Sequence, residues 1–272
     1  MLIQRILTAA VLIPVMVWLV FFAEQVIFQY AMLLIVSVGG WEWARLVGFE
    51  KTVTHVAYAA LVAVVGYILL VTSTLLMIAI LSVLILLVWT VNIVQVFQYQ
   101  GELLAQGELQ KMPMFSGIVI LPATAIFMIQ IHDFDPQLLF VCMLLIWTAD
   151  TGAYFSGRQF GKKKLAPSVS PGKSWEGVYG GMMAVVVVAY FASGYVGYTG
   201  VDQVYFVLLA IVGVALSVFG DLYESLLKRK SGIKDSSQIL PGHGGILDRT
   251  DSMLSAMPLF CLGFILIKLA NQ

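Results

Sequence analysis

Residues 75–94 read LLMIAILSVLILLVWTVNIV, a run of twenty positions without one charge. A helix of that length rises about 30 Å, the thickness of a bilayer's hydrocarbon. Being apolar all round, it has no face to turn toward water. Outward from it, eight more stretches meet the same description, at 6–23, 27–44, 56–72, 116–131, 138–156, 177–198, 204–222 and 252–270. The expected fold is therefore an all-α polytopic membrane protein with nine transmembrane helices.

Composition agrees. Of 272 residues, 60% are hydrophobic and only 11% charged, whereas soluble domains carry about 25% charged residues. One water-soluble core cannot hide that much apolar surface. The stretch at 6–23 is too long for a signal peptide and lacks a clear small-x-small cleavage site, so it reads as a retained helix. Cys142 and Cys261 both lie in apolar runs. Neither a disulfide framework nor a cysteine metal site follows from them. The chain shows no internal repeat and no low-complexity segment.

Charge placement tests the count of spans. With nine, the N-terminus and every second loop share one side. That side collects Arg5, Arg45, Lys51, Lys111, Arg158, Lys162, Lys163, Lys164, Lys173, Lys228, Arg229, Lys230, Lys234 and Arg249, leaving only Lys268 of the 15 basic residues for the other. The positive-inside rule puts the N-terminus in the cytoplasm and the C-terminus outside. Three cytoplasmic connections are long, at 95–115, 157–176 and 223–251. Residues 1–115 form an N-terminal part with four spans and a polar loop. Residues 116–272 hold five spans and the loops richest in chemistry. His55 and His132 read as solvated residues of short connections. Small-residue pairs such as Gly39-Gly40 and Gly180-Gly181 permit close helix packing and are compatible with a homodimer.

Acids in or beside apolar spans are the first functional candidates. Asp150 lies in IWTADTGAYF and Asp221 in SVFGDLYESLLK. A carboxylate at membrane depth costs a few kcal/mol unless it has a partner or a cavity. On a helix, Asp221, Glu224 and Lys228 fall on one face. In HGGILDRTD, residues 243–251, Asp248 and Asp251 are three apart with Arg249 between them. If that segment opens the last helix, both carboxylates share a face. Gly242, Gly244 and Gly245 around His243 let backbone approach a ligand. Such acids suit Mg²⁺ with phosphate; acids capping a helix N-terminus are the plainer alternative. The availability of Asp221 tips the reading toward a metal.

The cations Arg158, Lys162, Lys163, Lys164 and Lys173 fill GRQFGKKKLAPSVSPGKSWEG, and Lys228, Arg229, Lys230 and Lys234 follow the eighth span. Part of this charge is a topology anchor. Yet Gly157, Gly161 and Gly172 interleave with it, and SPGKS, with Ser170 and Ser174, ends before a helix, as a phosphate site requires. The spacing is not that of a Walker A loop.

Residues Ser225 to Asp251, SLLKRKSGIKDSSQILPGHGGILDRTD, resemble the signature of the phosphatidate cytidylyltransferases, the CDP-diglyceride synthases. The stretch DTGAYFSGRQFGKKKLAPSVSPGKSWEG looks like that family's nucleotide loop. The resemblance covers essentially the whole chain. It implies transfer of CMP from CTP to phosphatidic acid, giving CDP-diacylglycerol and pyrophosphate, in a bacterial inner membrane with the active site on the cytoplasmic side. It implies Mg²⁺ and a second cation such as K⁺, with Asp221, Asp248 and Asp251 as metal-site carboxylates. It implies phosphate contacts from Lys173, Lys228, Arg229, Lys234, His243 and Arg249. Asp150, Arg158, Lys162, Ser170, Ser174, Glu224, Gly244 and Gly245 are expected to line the substrate site, and Asp235 to orient Lys234 or His243. The partners are then CTP, phosphatidic acid and the bilayer, with no nucleic acid. A CTP-dependent lipid or polyprenol kinase is the nearest rival and an ion-coupled transporter the rival of another class. Charge gathered on one face disfavours the transporter. A CDP-alcohol phosphotransferase would need a DxxDGxxAR motif that is absent.

Overall fold

The structure, a computed structural model, describes residues 2–103 and 108–271; of these, the side chains of Leu2, Ile3 and Arg5 lie outside the description. Residues 104–107 of the first long loop, and the place of Arg5 among the cytoplasmic charges, are thus beyond it. Among the described residues nine helices follow in order: α1 (Leu2–Phe21), α2 (Gln25–Leu46), α3 (Thr52–Thr72), α4 (Leu75–Gln98), α5 (Lys111–Phe134), α6 (Pro136–Phe160), α7 (Trp175–Tyr195), α8 (Gly200–Lys230) and α9 (Leu247–Ala270). Eight of them, α2 to α9, are long and apolar enough to cross a membrane. The span expected at 6–23 is a helix whose apolar part, Ile6–Phe21, is shorter than the others.

Local chemistry sets several boundaries. Pro136 opens α6, and the Asp135 carboxylate caps it by accepting from Gln137 N at 2.8 Å. Proline at the first helical position leaves no amide unsatisfied. Ser174 caps α7, its Oγ accepting from Gly177 N. Between α6 and α7 a short antiparallel hairpin forms, β1 (Lys164–Ala166) and β2 (Ser170–Ser174). Leu165, Ala166 and Val169 are its buried feet, and Glu176 of α7 accepts from the amides of Lys162 and Lys163.

The helices differ in burial. In α9 and α5, 67% and 61% of span residues are buried, against 22% in α3. α9 and α5 therefore form the centre and α3 belongs to the rim. Lipid is as apolar as leucine, so the rim keeps its Val and Leu side chains outward while the interior is held by close packing. Glycines make that packing possible where α6 meets α7. A Cβ on Gly152 would stand 3.1 Å from Gly181 Cα. Gly39, Gly40, Gly180 and Gly181 all pack within this chain, so they carry no argument for the homodimer.

Three sequence expectations need correction. The cytoplasmic segment 223–251 is not all loop: α8 continues to Lys230 and α9 begins at Leu247. The segment 157–176 is the end of α6, the hairpin and the start of α7. His55 and His132 are core residues, 7% and 8% exposed. His55 Nε2 shares a hydrogen bond with Phe49 O at 2.8 Å. His132 Nε2 does so with Val20 O at 3.0 Å, and its ring stacks on Phe28. Each sits on a helix beside a chain reversal, where a free carbonyl needs a partner. Lys268 behaves as a long side chain at a helix end should, its ammonium 4.7 Å from the Phe134 ring.

Candidate active site

α8 carries Asp221, Glu224 and Lys228 on one face, as their spacing requires. Lys228 Nζ lies 2.7 Å from Glu224 Oε2 and 2.7 Å from Asp248 Oδ1. One ammonium thus joins a carboxylate of its own helix to one at the start of α9. The second oxygen of Asp248 accepts from Gly245 N at 2.7 Å, Ser236 Oγ at 2.9 Å and Ser236 N at 3.0 Å. The turn that allows this needs glycine. Gly244 has φ +83°, a region L side chains rarely adopt, and a Cβ there would strike the Asp248 carboxylate. One turn along α9, Asp251 lies against Glu224 and feels the charge of Asp221. Gly220 lets the helices come this close: a Cβ there would meet Asp251 O and Ser255 Oγ.

The hairpin brings the second half of the site. Lys173 of β2 pairs with Asp221 at 2.7 Å. Above that pair opens a cavity of about 430 Å³. Asp150, Tyr154, Arg158, Ser170, Lys173, Ser174 and Asp221 supply its polar walls; glycines and apolar side chains supply the rest. Asp150 interacts electrostatically with both Lys173 and Asp221. Four carboxylates (Asp150, Asp221, Glu224, Asp248) are therefore linked through two lysines, and Asp251 stands against Asp221 and Glu224. Five carboxylates against two lysines beside an apolar interior must take up either protons or a cation to remain there.

The matching family model is described as the cytidylyltransferase family and covers residues 3–267. The chain belongs to this family. A phosphatidate cytidylyltransferase of Pseudomonas aeruginosa is 44% identical over 96% of both chains. One of Haemophilus influenzae is 35% identical over 96% of this chain and 97% of its own. One of Bacillus subtilis is 36% identical over 66% of this chain and 65% of its own.

Within this cytidylyltransferase fold the remaining expected residues have definite places. Arg229 donates from Nε to Val169 O at 3.2 Å, tying α8 to the hairpin. Arg249 Nε donates to His243 O at 3.0 Å, and His243 Nδ1 is buried with no partner among the described residues. The backbone N–H of Lys162 is held by Glu176 while its side chain is exposed. Lys234 and Asp235 are exposed, and among the described contacts Asp235 bonds to neither Lys234 nor His243.

No three His, Cys, Asp or Glu side chains among the described residues stand ready to hold a metal. The donor set nonetheless suits a hard cation. It is all oxygen, and Glu224 Oε1 is buried with no hydrogen-bond partner among the described residues. Mg²⁺ needs only one or two carboxylates when phosphate and water complete its shell.

Sequence reading missed Glu42. This α2 carboxylate is fully buried. Its Oε1 accepts from Ser237 Oγ at 2.5 Å and Ile246 N at 3.0 Å. Its Oε2 accepts from Leu247 N at 2.7 Å and Ser236 Oγ at 3.1 Å. Glu42 thus caps α9 from another helix, and Ser236 bridges it to Asp248. An acid in a span with a small residue pair before it, GGWEWAR, was the available signal.

Proposed function

We propose that this protein is a phosphatidate cytidylyltransferase that converts CTP and phosphatidic acid to CDP-diacylglycerol and pyrophosphate. The observation that carries the reading is the junction of the two motif regions. Lys173 of the hairpin meets Asp221, and Asp221 stands beside the signature residue Asp251. A polar cavity and an acidic cluster are thereby one site. The names of its relatives support the substrates.

In this reading a phosphate oxygen of phosphatidic acid attacks the α-phosphorus of CTP. The new P–O bond forms as the bond to the β-phosphate bridging oxygen breaks, and pyrophosphate leaves with that electron pair. The nucleophile is already anionic, so no strong base is required. The obstacle is repulsion between polyanions, which calls for positioning and cations. Arg158 and Lys173 face the nucleotide cavity and would hold its phosphates; Ser170 and Ser174 offer hydroxyls. Lys228 fixes the distance between α8 and α9. Mg²⁺ bound with the triphosphate would supply charge neutralisation, with Asp221, Asp251 and Glu224 as the residues to hold it; Asp248 already serves Lys228 and the loop. K⁺ is the candidate for a second cation.

The basic residues gathered in the loops support a site at the cytoplasmic face of a bacterial inner membrane. The test is purified protein in detergent with α-labelled CTP, phosphatidic acid and Mg²⁺. Label in the organic phase with matching pyrophosphate, both lost with EDTA, is the expected result. γ-label in lipid with CDP left in water would make the protein a kinase instead.

A further inference from the structure

A second cavity, of about 530 Å³, lies on the opposite side of α9 from the acidic cluster. Its walls come from α1, α2, α5, α6 and α9 and are apolar almost throughout. Along α1 it runs from Ala9 to Val20. That is about 16 Å at helical rise, half the thickness of a bilayer's hydrocarbon. Its far end, at Val20 and Phe28, lies beside the α1–α2 turn. Charge is found at one end only, at Arg249, with the His243 ring beside it. Arg249 commits Nε to His243 O and is otherwise exposed, so its two terminal amino groups remain for a ligand. The unpartnered Nδ1 of His243 is a second polar atom at that mouth. Buried polar atoms are nearly always satisfied, so an orphan at a cavity mouth is a place for a ligand atom.

We propose that this groove holds the acyl chains of the phosphatidate substrate, with Arg249 and His243 on its phosphate. It rests on the activity proposed above. An apolar trough with a cation at its mouth complements a lipid, acyl chains in the trough and phosphate on the cation. A triphosphate nucleotide, all polar, has no use for it. The two cavities approach each other at two places. On α6, Trp147 borders the groove while Ala149 and Asp150 border the polar cavity. On α9, Arg249 borders the groove while its neighbour Asp248 holds Lys228. Lipid and nucleotide therefore reach the acidic cluster from different sides. The phosphate-contacting residues divide accordingly, Arg249 and His243 for lipid, Arg158 and Lys173 for nucleotide.

The experiment measures KM and kcat for each substrate on wild type, Arg249→Gln and Arg158→Gln in detergent, with the unfolding midpoint as a control for folding. Arg249→Gln should raise KM for phosphatidate about tenfold with KM for CTP unchanged, and Arg158→Gln the reverse. A companion pair, Met16→Trp and Met128→Trp, fills the groove from α1 and α5. Each should cut kcat/KM for dioleoyl phosphatidate about tenfold and leave dihexanoyl phosphatidate within about twofold. Equal losses for both chain lengths in correctly folded variants, or a CTP defect in Arg249→Gln, would overturn the proposal. If wild type fails to turn over phosphatidate, the activity reading falls by itself. The groove is then judged by a diazirine-bearing phosphatidate: crosslinks to Met253 or Met16 would uphold it, and crosslinks confined to the outer faces of α3 and α7 would overturn it.

Discussion

Asp248 joins α8, the loop before α9 and α9 itself. It receives Lys228 on one oxygen and three loop donors on the other. In Asp248→Asn one oxygen becomes an amide that can only donate, and it must face either the ammonium or the Gly245 and Ser236 donors. Activity should fall at least about 100-fold while the protein still inserts in the membrane; normal turnover of purified variant would remove Asp248 from the site. Glu42 acts one layer behind. Glu42→Ala strips the partners from the donors of Ile246, Leu247 and Ser237, while Ser236 keeps Asp248. Each buried donor left unsatisfied costs about 1–3 kcal/mol. A marked drop in the thermal unfolding midpoint is expected, with activity lost in parallel. An unchanged midpoint would mean that water replaces the carboxylate. Among the lysines, Lys173 contacts Asp221 while Lys163 is exposed with only its backbone N–H held by Glu176. Lys173→Ala should therefore reduce kcat/KM for CTP far more than Lys163→Ala, and equal losses in the two variants would contradict that division.

At the scale of elements, the site depends on helices that touch through glycine. A Cβ on Gly181 would lie 2.6 Å from Ala149 O, one residue before Asp150. Gly181→Val should push α7 from α6, widen the polar cavity and, on the proposed reading, raise KM for CTP, read alongside the unfolding midpoint. The sequence made this packing legible, because Gly180-Gly181 in an apolar run lets a neighbouring helix approach to backbone contact. It also made the spans legible, since twenty uncharged apolar residues leave little choice, and the Asp221, Glu224 and Lys228 face, because helical spacing alone decides it. The hairpin was hidden. Its strands Lys164–Ala166 and Ser170–Ser174 are too short for a period to show, and their stability comes from buried feet and from Glu176 and Arg229. The end of α8 was hidden for a related reason. Hydropathy falls at Asp221, but the helix runs on to Lys230 because Lys228 finds Asp248 on α9 and Glu224 finds Lys228, rather than water. Glu42 escaped notice because a lone acid in a span shows no partner until the fold brings residues 236–247 to it.

Orientation is a property of the whole molecule, and the fold constrains it through its own pairings. Gln25 bonds Asp133 at 2.8 Å, and Asn271 bonds Asp202 at 3.0 Å. These pairs tie the α1–α2 connection to the α5–α6 connection, and the C-terminus to the start of α8. Each joins segments that the charge rule assigns to the outside. The opposite end gathers the hairpin, the loop 231–246 and the end of α2, where Arg45 donates to Ser236 O at 2.7 Å. The polar cavity, the acidic cluster and the mouth of the apolar groove all belong to that end. The charge rule assigns that end to the cytoplasm, and we propose that the polar cavity faces it. Single cysteines test this cleanly, because Cys142 and Cys261 are buried and will not report. In intact cells, Ser73→Cys and Thr199→Cys should react with a membrane-impermeant maleimide. Lys51→Cys and Lys230→Cys should react only after the membrane is opened. Labelling of Lys230→Cys in intact cells would turn the molecule over and place the cavity outside, where no nucleotide would reach it. The basic loops would then face away from the cytoplasm, against the charge rule that orients them.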